Sequence, residues 1–204
     1  MYKLLTVIDD FYDRPDEIRR LALSADYPAV EGPLTFPGRN SRQSFAPPGL
    51  DQAVSDLVRE PVRGSPRPQI SHGRFRISLA ADPQRYLVHV DPSFLSWVGL
   101  VYLSRPEHCR GGTALYRHKG LDSDRVPSLE ALQGYGVPDV ATLLRRDGRD
   151  PEKWEQLTVL PMRYNRLVLY RPWLWHSALP AFGESLEDGR LVQLVFFEPA
   201  ARAA

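Results

Sequence analysis

At 204 residues the chain is long enough for one packed core of ordinary size. Its 26 basic and 25 acidic residues leave a net charge of +1, which supplies neither the basic face of a nucleic-acid binder nor that of an anionic-membrane binder. Cys109 is the one cysteine, so no internal disulfide can form, and 43% hydrophobic residues without a low-complexity tract exclude a disordered chain.

Leu4 to Ile8 is a short apolar run and reads as an opening strand. It ends at Asp9-Asp10, where a signal peptide would extend its apolar region. No apolar run approaches the roughly 20 residues of a membrane span. A cytoplasmic protein with no membrane and no nucleic-acid partner is therefore expected. Pro15 suits the first position of a helix, with Asp16 and Glu17 favourable in its first turn, and Ile18, Leu21, Ala22 and Ala25 recur at helical spacing as its inward face. Residues 27–49, rich in Pro, Gly, Ser and Asn, read as loop. A second helix from about Leu50 places Val54, Leu57 and Val58 together, and a breaker-rich turn from Pro61 to Pro68 ends it.

Strand patterns follow. From His72 to Ala80, Phe75, Ile77 and Leu79 alternate with Arg74, Arg76 and Ser78, the period of a half-buried strand. Tyr86–Val90, Trp97–Leu103, Thr113–Tyr116, Leu157–Leu160, Leu167–Tyr170 and Leu191–Phe197 are further strands, and residues 120–153 form a more helical insert. Helices first and many short strands afterwards predict an α+β fold with a jelly-roll barrel. Residues 1–204 read as one domain: a region of strand, helices and loops to residue 70, barrel strands at 71–119 and 154–198, and the insert between.

Side chains two apart on a strand share a face, so His89 and Asp91 converge. A His-x-Asp alone is weak evidence; it needs a distant third ligand. His176 supplies one, placed after an apolar strand and a short aromatic turn, where a barrel rim is expected. Two imidazoles and a carboxylate on one side of a metal leave positions open, the donor set of non-haem Fe(II) sites. A histidine packed under Trp175 is the competing reading of His176. Arg190 opens the apolar strand Leu191–Phe197, and a charge pointing inward there needs an anionic partner; otherwise it is a solvated strand end. His118 reads either as a substrate contact or, by preference, as an exposed strand-end histidine, and His72 and His108 as solvated loop residues. The Pro37–Ser41 segment reads by preference as a plain turn and otherwise as one reaching over a pocket, Trp173 and Trp175 as core filling rather than cavity wall, and Cys109 as incidental.

The order His-x-Asp, distal His, then Arg resembles the Fe(II)/2-oxoglutarate-dependent dioxygenase superfamily, in the style of its prolyl-hydroxylase-like branch. Tyr86-Leu-Val-His89-Val-Asp91, the strand ending Tyr102-Leu103, and the turn Gly111-Gly112 before Thr113 are the residues that carry the similarity. The resemblance implies a double-stranded β-helix, a jelly-roll and cupin-like barrel with the N-terminal helices packed on its major sheet. It implies Fe(II) on His89, Asp91 and His176, 2-oxoglutarate as cosubstrate and O2 as oxidant. Arg190 would pair with the distal carboxylate of 2-oxoglutarate, Tyr102 would add a hydrogen bond to it, and Arg166 and Arg171 are the other candidates for that anchor. The implied reaction hydroxylates a small molecule, an amino acid or a peptidyl residue and releases succinate and CO2. Asp91 argues against halogenation, which in related enzymes needs a small residue at that position. A cupin-like metal enzyme without 2-oxoglutarate would keep the three ligands and not need Arg190. A jelly-roll binding module would need none of them.

Overall fold

The computed structural model describes residues 3–29, 37–83 and 88–200. Strand β1 (Leu5–Ile8) leads to helix α1 (Pro15–Leu23), which starts at the proline and carries Asp16 and Glu17 in its first turn. The buried face of α1 differs from the periodic one: Ile18, Arg19 and Ala22 go inward, while Leu21 is 45% exposed. Arg19 can be buried because its guanidinium finds two inner carbonyls, Leu103 O and Glu187 O, at 2.8 Å each.

Strand β2 (Arg39–Ser44) lies within the stretch read as loop, since its polar run offers no alternation to recognise. Helix α2 (Leu50–Val58) buries Leu50, Val54 and Val58. The turn after it contains the short strand β3 (Val62–Gly64). Then come β4 (Arg74–Ser78), β5 (Trp97–Tyr102), β6 (Gly112–His118), helices α3 (Leu129–Gly134) and α4 (Val140–Asp147) of the insert, β7 (Trp154–Pro161), β8 (Leu167–Tyr170), β9 (His176–Ala178) and β10 (Arg190–Pro199). The expected strand Tyr86–Val90 falls partly on residues 84–87, so Tyr86 lies outside the described residues.

Among the described residues these strands make two antiparallel sheets. The larger runs β1-β8-β5-β10-β4-β2, with β3 also on β10; the smaller runs β7-β6-β9. Alternation sorts the large sheet's side chains into two faces. Phe75, Ile77, Trp97, Val101, Leu191 and Val195 turn outward against α1 and α2. Val98, Leu100, Tyr102, Val168, Val192 and Leu194 turn inward toward Leu160 and Met162. A third cluster packs Tyr116, Trp154 and Trp175 against Leu132 of α3 and Leu143 of α4. Each such side chain removed from water contributes about 1.5–3 kcal/mol, so the site between the sheets is held from both outer layers. The β4 alternation is as expected, but its polar row is not solvated: Arg76 and Ser78 face the interior between the sheets. No helix among the described residues is long and apolar enough to cross a membrane.

Candidate metal centre and its cavity

His89 and His176 face each other across an isolated antiparallel bridge, each amide donating to the other's carbonyl at 3.0 Å. The imidazoles are thereby brought together, with centroids 4.2 Å apart and planes tilted by 55°. Two residues on, the Asp91 amide donates to Pro172 O at 2.9 Å, which keeps the segment extended and turns Asp91 to the same side as His89. The other flank is held by the insert, where the Val88 amide donates to Gly148 O at 2.8 Å just beyond α4. His176 itself begins β9 and pairs with Leu115 of β6. One ligand atom from each of His89, Asp91 and His176 lies within 4.8 Å of the others. The structure thus brings together the three residues that the sequence pattern singled out.

The hydrogen bonds fix one tautomer. His176 Nδ1 is 2.9 Å from Leu174 O, which can only accept, so Nδ1 carries the proton. In the neutral ring Nε2 is then a lone pair, 3.2 Å from Asp91 Oδ2. Two acceptors at that distance repel unless a proton or a cation lies between them. A backbone carbonyl orienting a histidine so that its second nitrogen is left for a metal is the usual outer support of a ligand. Burial works against the charge on Asp91; positive charge on the His176 and His89 side, together with Arg76, outweighs it and holds the carboxyl below its usual range, which a neutral His176 presenting a lone pair would not do.

The three side chains line a cavity of about 310 Å³ that also takes in Arg190, Arg76 and Tyr170. Arg190 is 4% exposed and stands opposite Ser78 of β4. Its Nε and Nη2 are buried with no hydrogen-bond partner among the described residues. Burial lowers its pKa, with Tyr102 and Tyr170 acting in the opposite direction. The loop before it is tied down: Asp188 Oδ1 accepts from the amides of Glu184 and Ser185, Ser104 Oγ donates to Gly189 O at 2.7 Å and accepts from the Leu191 amide at 2.9 Å. The backbone that carries Arg190 is therefore held in place by its surroundings.

The other two arginine candidates are engaged elsewhere. Arg166 is paired with Asp9, through Nε at 2.6 Å and Nη2 at 2.9 Å. Arg171 is paired with Glu60 and stacked over Trp97 at 4.1 Å. Tyr102 points its hydroxyl between the sheets, donating to Leu160 O at 3.2 Å and sharing a hydrogen bond with Thr113 Oγ1 at 3.0 Å. Ser71, Ser78, Thr113 and Tyr170 are the hydroxyl residues among the described ones that line the cavity. Tyr170 packs its ring on His176 at 4.6 Å, and burial, with Asp91 nearby, pushes its phenol well above the usual range. Sequence reasoning passed over Tyr170, Thr113 and Arg76, because an inward polar residue on a strand carries no local mark until the fold supplies the cavity. Pro37 does reach the cavity wall, with Ser78 Oγ donating to its carbonyl.

Two histidine readings are corrected. His118 is neither exposed nor in the cavity: it is fully buried at the end of β6, with Nε2 3.0 Å from Asp147 Oδ2. His72 is half-buried, its Nδ1 accepting from the Phe196 amide at 3.0 Å and its ring edge-on to Phe197. Both places became possible only because a partner satisfies the buried ring. Trp175 is core, as expected, and burial raises the Cys109 thiol, which donates to Ser104 O.

No curated protein matches the chain in sequence. Among solved structures its fold is similar to that of HygX from Streptomyces hygroscopicus. With nickel and 2-oxoglutarate bound, that protein aligns at 15% identity over 96% of this chain and 83% of HygX, with a TM-score of 0.52. With nickel, 2-oxoglutarate and hygromycin B bound, the identity is 14%, the coverage is the same and the TM-score is 0.53. The family of unknown function DUF6445 has a model that matches residues 2–197, and the chain belongs to that family.

Proposed function

We propose that this protein is a non-haem Fe(II), 2-oxoglutarate-dependent oxygenase that hydroxylates a small molecule or an amino-acid-like substrate. The carrying observation is the pairing of two features in one cavity: three metal-type ligands in reach of a common point, and a buried guanidinium with two nitrogens unpartnered. Two imidazoles and one carboxylate suit Fe(II) and leave coordination positions for a chelating cosubstrate. A planar guanidinium suits the far carboxylate of a dicarboxylate. HygX, whose fold this chain shares, binds nickel, 2-oxoglutarate and a small molecule, which supports the same reading here. We also read the two sheets as the halves of a double-stranded β-helix within one domain.

On this reading His89, Asp91 and His176 hold the metal, and Leu174 O keeps His176 in the required tautomer. Arg190 anchors the distal carboxylate, with Thr113 beside it and Tyr102 fixing the Thr113 hydroxyl from behind. O2 would be the oxidant, and iron with 2-oxoglutarate, once bound, would supply the chemistry that delivers one of its atoms to the substrate and the other to succinate as CO2 is lost. The chain binds, orients and excludes water. A cupin-like metal enzyme without 2-oxoglutarate would leave Arg190 buried and unpaired to no purpose, at a cost of several kcal/mol for an uncompensated buried charge.

The test is direct. Anaerobic protein with Fe(II) is expected to develop a weak visible band on adding 2-oxoglutarate, and His176→Ala to lose it. Arg190→Gln is expected to bind the metal normally and 2-oxoglutarate at least tenfold more weakly, a loss of about 1.4 kcal/mol or more. Equal 2-oxoglutarate affinity in the two proteins would remove Arg190 from the site.

A further inference from the structure

Tyr170 ends β8 on the inward face of the large sheet and lines the cavity, and the metal and cosubstrate reading gives it no task. Its ring packs on that of His176, with centroids 4.6 Å apart. Its hydroxyl makes no hydrogen bond among the described residues, not even to Asp91 on the same cavity wall. Buried polar groups are as a rule satisfied, so such a hydroxyl needs an account. The sealed polar side-chain atoms without a partner are Trp175 Nε1 and the Nε and Nη2 of Arg190, and the Tyr170 oxygen is not one of them. It therefore opens onto space that a ligand can enter, and the space beside Tyr170 is the cavity.

Sheet register decides which part of a ligand lies beside it. Tyr170 pairs with Val98 of β5, and Val98 pairs on its other side with Phe196 of β10. Along β10 the inward row runs Phe196, Leu194, Val192, Arg190. Tyr170 and Arg190 thus line the cavity from opposite ends, and His176 lies at the Tyr170 end. A dicarboxylate that reaches from the three ligands to Arg190 has its metal-bound end on the side of the phenol. A phenol carries its proton at neutral pH, so it can donate to a carboxylate or keto oxygen there. A hydrogen bond to an ionised acceptor is roughly twice as strong as one between neutral groups.

We propose that Tyr170 binds the cosubstrate, its hydroxyl donating a hydrogen bond to the metal-bound end of 2-oxoglutarate and orienting that end while Arg190 holds the other. This rests on the assignment of His89, Asp91, His176 and Arg190 above. The test uses Tyr170→Phe, which keeps the ring against His176 and removes only the hydroxyl. Wild type and variant are loaded anaerobically with Ni(II) and titrated with 2-oxoglutarate by calorimetry; with Fe(II) instead, the visible band is recorded at saturating 2-oxoglutarate. Tyr170→Phe is expected to bind Ni(II) within about twofold of wild type and 2-oxoglutarate about tenfold more weakly, as the loss of one hydrogen bond to a charged group implies. Its band maximum is expected to move, because the lost bond lies at the end that the iron holds. Arg190→Gln, altered at the far end, is expected to weaken binding and leave the maximum in place. An unchanged 2-oxoglutarate affinity or an unmoved band in Tyr170→Phe overturns the proposal. So does an equal displacement in Arg190→Gln, or a Tyr170→Phe variant that loses Ni(II), since the ring would then serve only to support His176. Failure of the wild type to take up Ni(II) and 2-oxoglutarate at all would bring down the underlying reading, and this proposal with it.

Discussion

Two buried histidines in this protein each face an aspartate at nearly the same distance, and they do opposite things. His118 Nε2 is 3.0 Å from Asp147 and His176 Nε2 is 3.2 Å from Asp91. The difference lies on the far side of each ring. His118 Nδ1 accepts from the Leu121 amide at 3.1 Å, so the neutral ring carries its proton on Nε2 and donates it to Asp147. His176 Nδ1 donates to Leu174 O, so the neutral ring offers Asp91 a lone pair. The first pair is complete without any third party. The second is two acceptors aimed at one point, with His89 beside them. A backbone group two or three residues away thus separates a histidine that satisfies its aspartate from one that turns a lone pair toward it.

The widest separation between the pairs is expected from metal. If the second pair is a metal site, Fe(II) or Ni(II) at a hundred times its Kd stabilises the fold by about 2.7 kcal/mol, which at this chain length raises Tm by roughly 5–11 °C. His118→Gln is expected to keep that increment from a lower starting Tm. His176→Ala is expected to lose it altogether. A wild-type Tm indifferent to both metals would erase the distinction.

A single exchange made at both aspartates probes the same contrast without metal. Asp147→Asn takes the charge from a buried carboxylate that serves both His118 and Arg146, the latter through Nε at 2.8 Å, and is expected to cost about 2–3 kcal/mol. Asp91→Asn gives the His176 lone pair an amide N–H to accept. It is expected to leave metal-free protein as stable or up to about 1 kcal/mol more stable at about pH 8.5, above the ordinary imidazole range. Urea midpoints of the two variants decide it: equal losses would mean that the tautomer argument misassigns Asp91.

The contrast also marks what could be read from the chain. His89, Asp91 and His176 were legible because strand periodicity puts two of them on one face and the third follows an apolar strand. Arg190 was legible as a charge opening an apolar run. The two helices and most strands followed from periodicity, whereas β2 and β3 did not, being polar or only three residues long. The sorting of His118 away from the site was illegible for a different reason. Its partners, Asp147 and the Leu121 amide, belong to the insert, and only the packing of α4 on β6 brings the aspartate to the ring. Arg19 shows the same limit, since the carbonyls that let it replace Leu21 on the buried face come from residues 103 and 187.

The smallest effect expected is in the acid response of the complete pair. Burial, together with Arg146 and Lys153, lowers the pKa of His118 despite Asp147 beside it, and protonating Nδ1 would set it against the Leu121 amide. A histidine depressed in the folded state contributes stability that is complete above its unfolded value, about 6.5, and declines as pH falls, because the unfolded chain takes up a proton that the folded one resists. Asp147 acts in the same sense at lower pH: burial opposes its charge, Arg146 and His118 more than offset this, and its contribution disappears as pH falls through the lowered value. Wild-type urea midpoints are therefore expected to decline from about pH 7 to pH 5. His118→Gln, which cannot titrate, is expected to flatten that slope without removing it, since His72 is depressed by burial in the same direction. A slope unchanged in the variant would mean that His118 is not the group taking up the proton, and would undo the tautomer drawn for it.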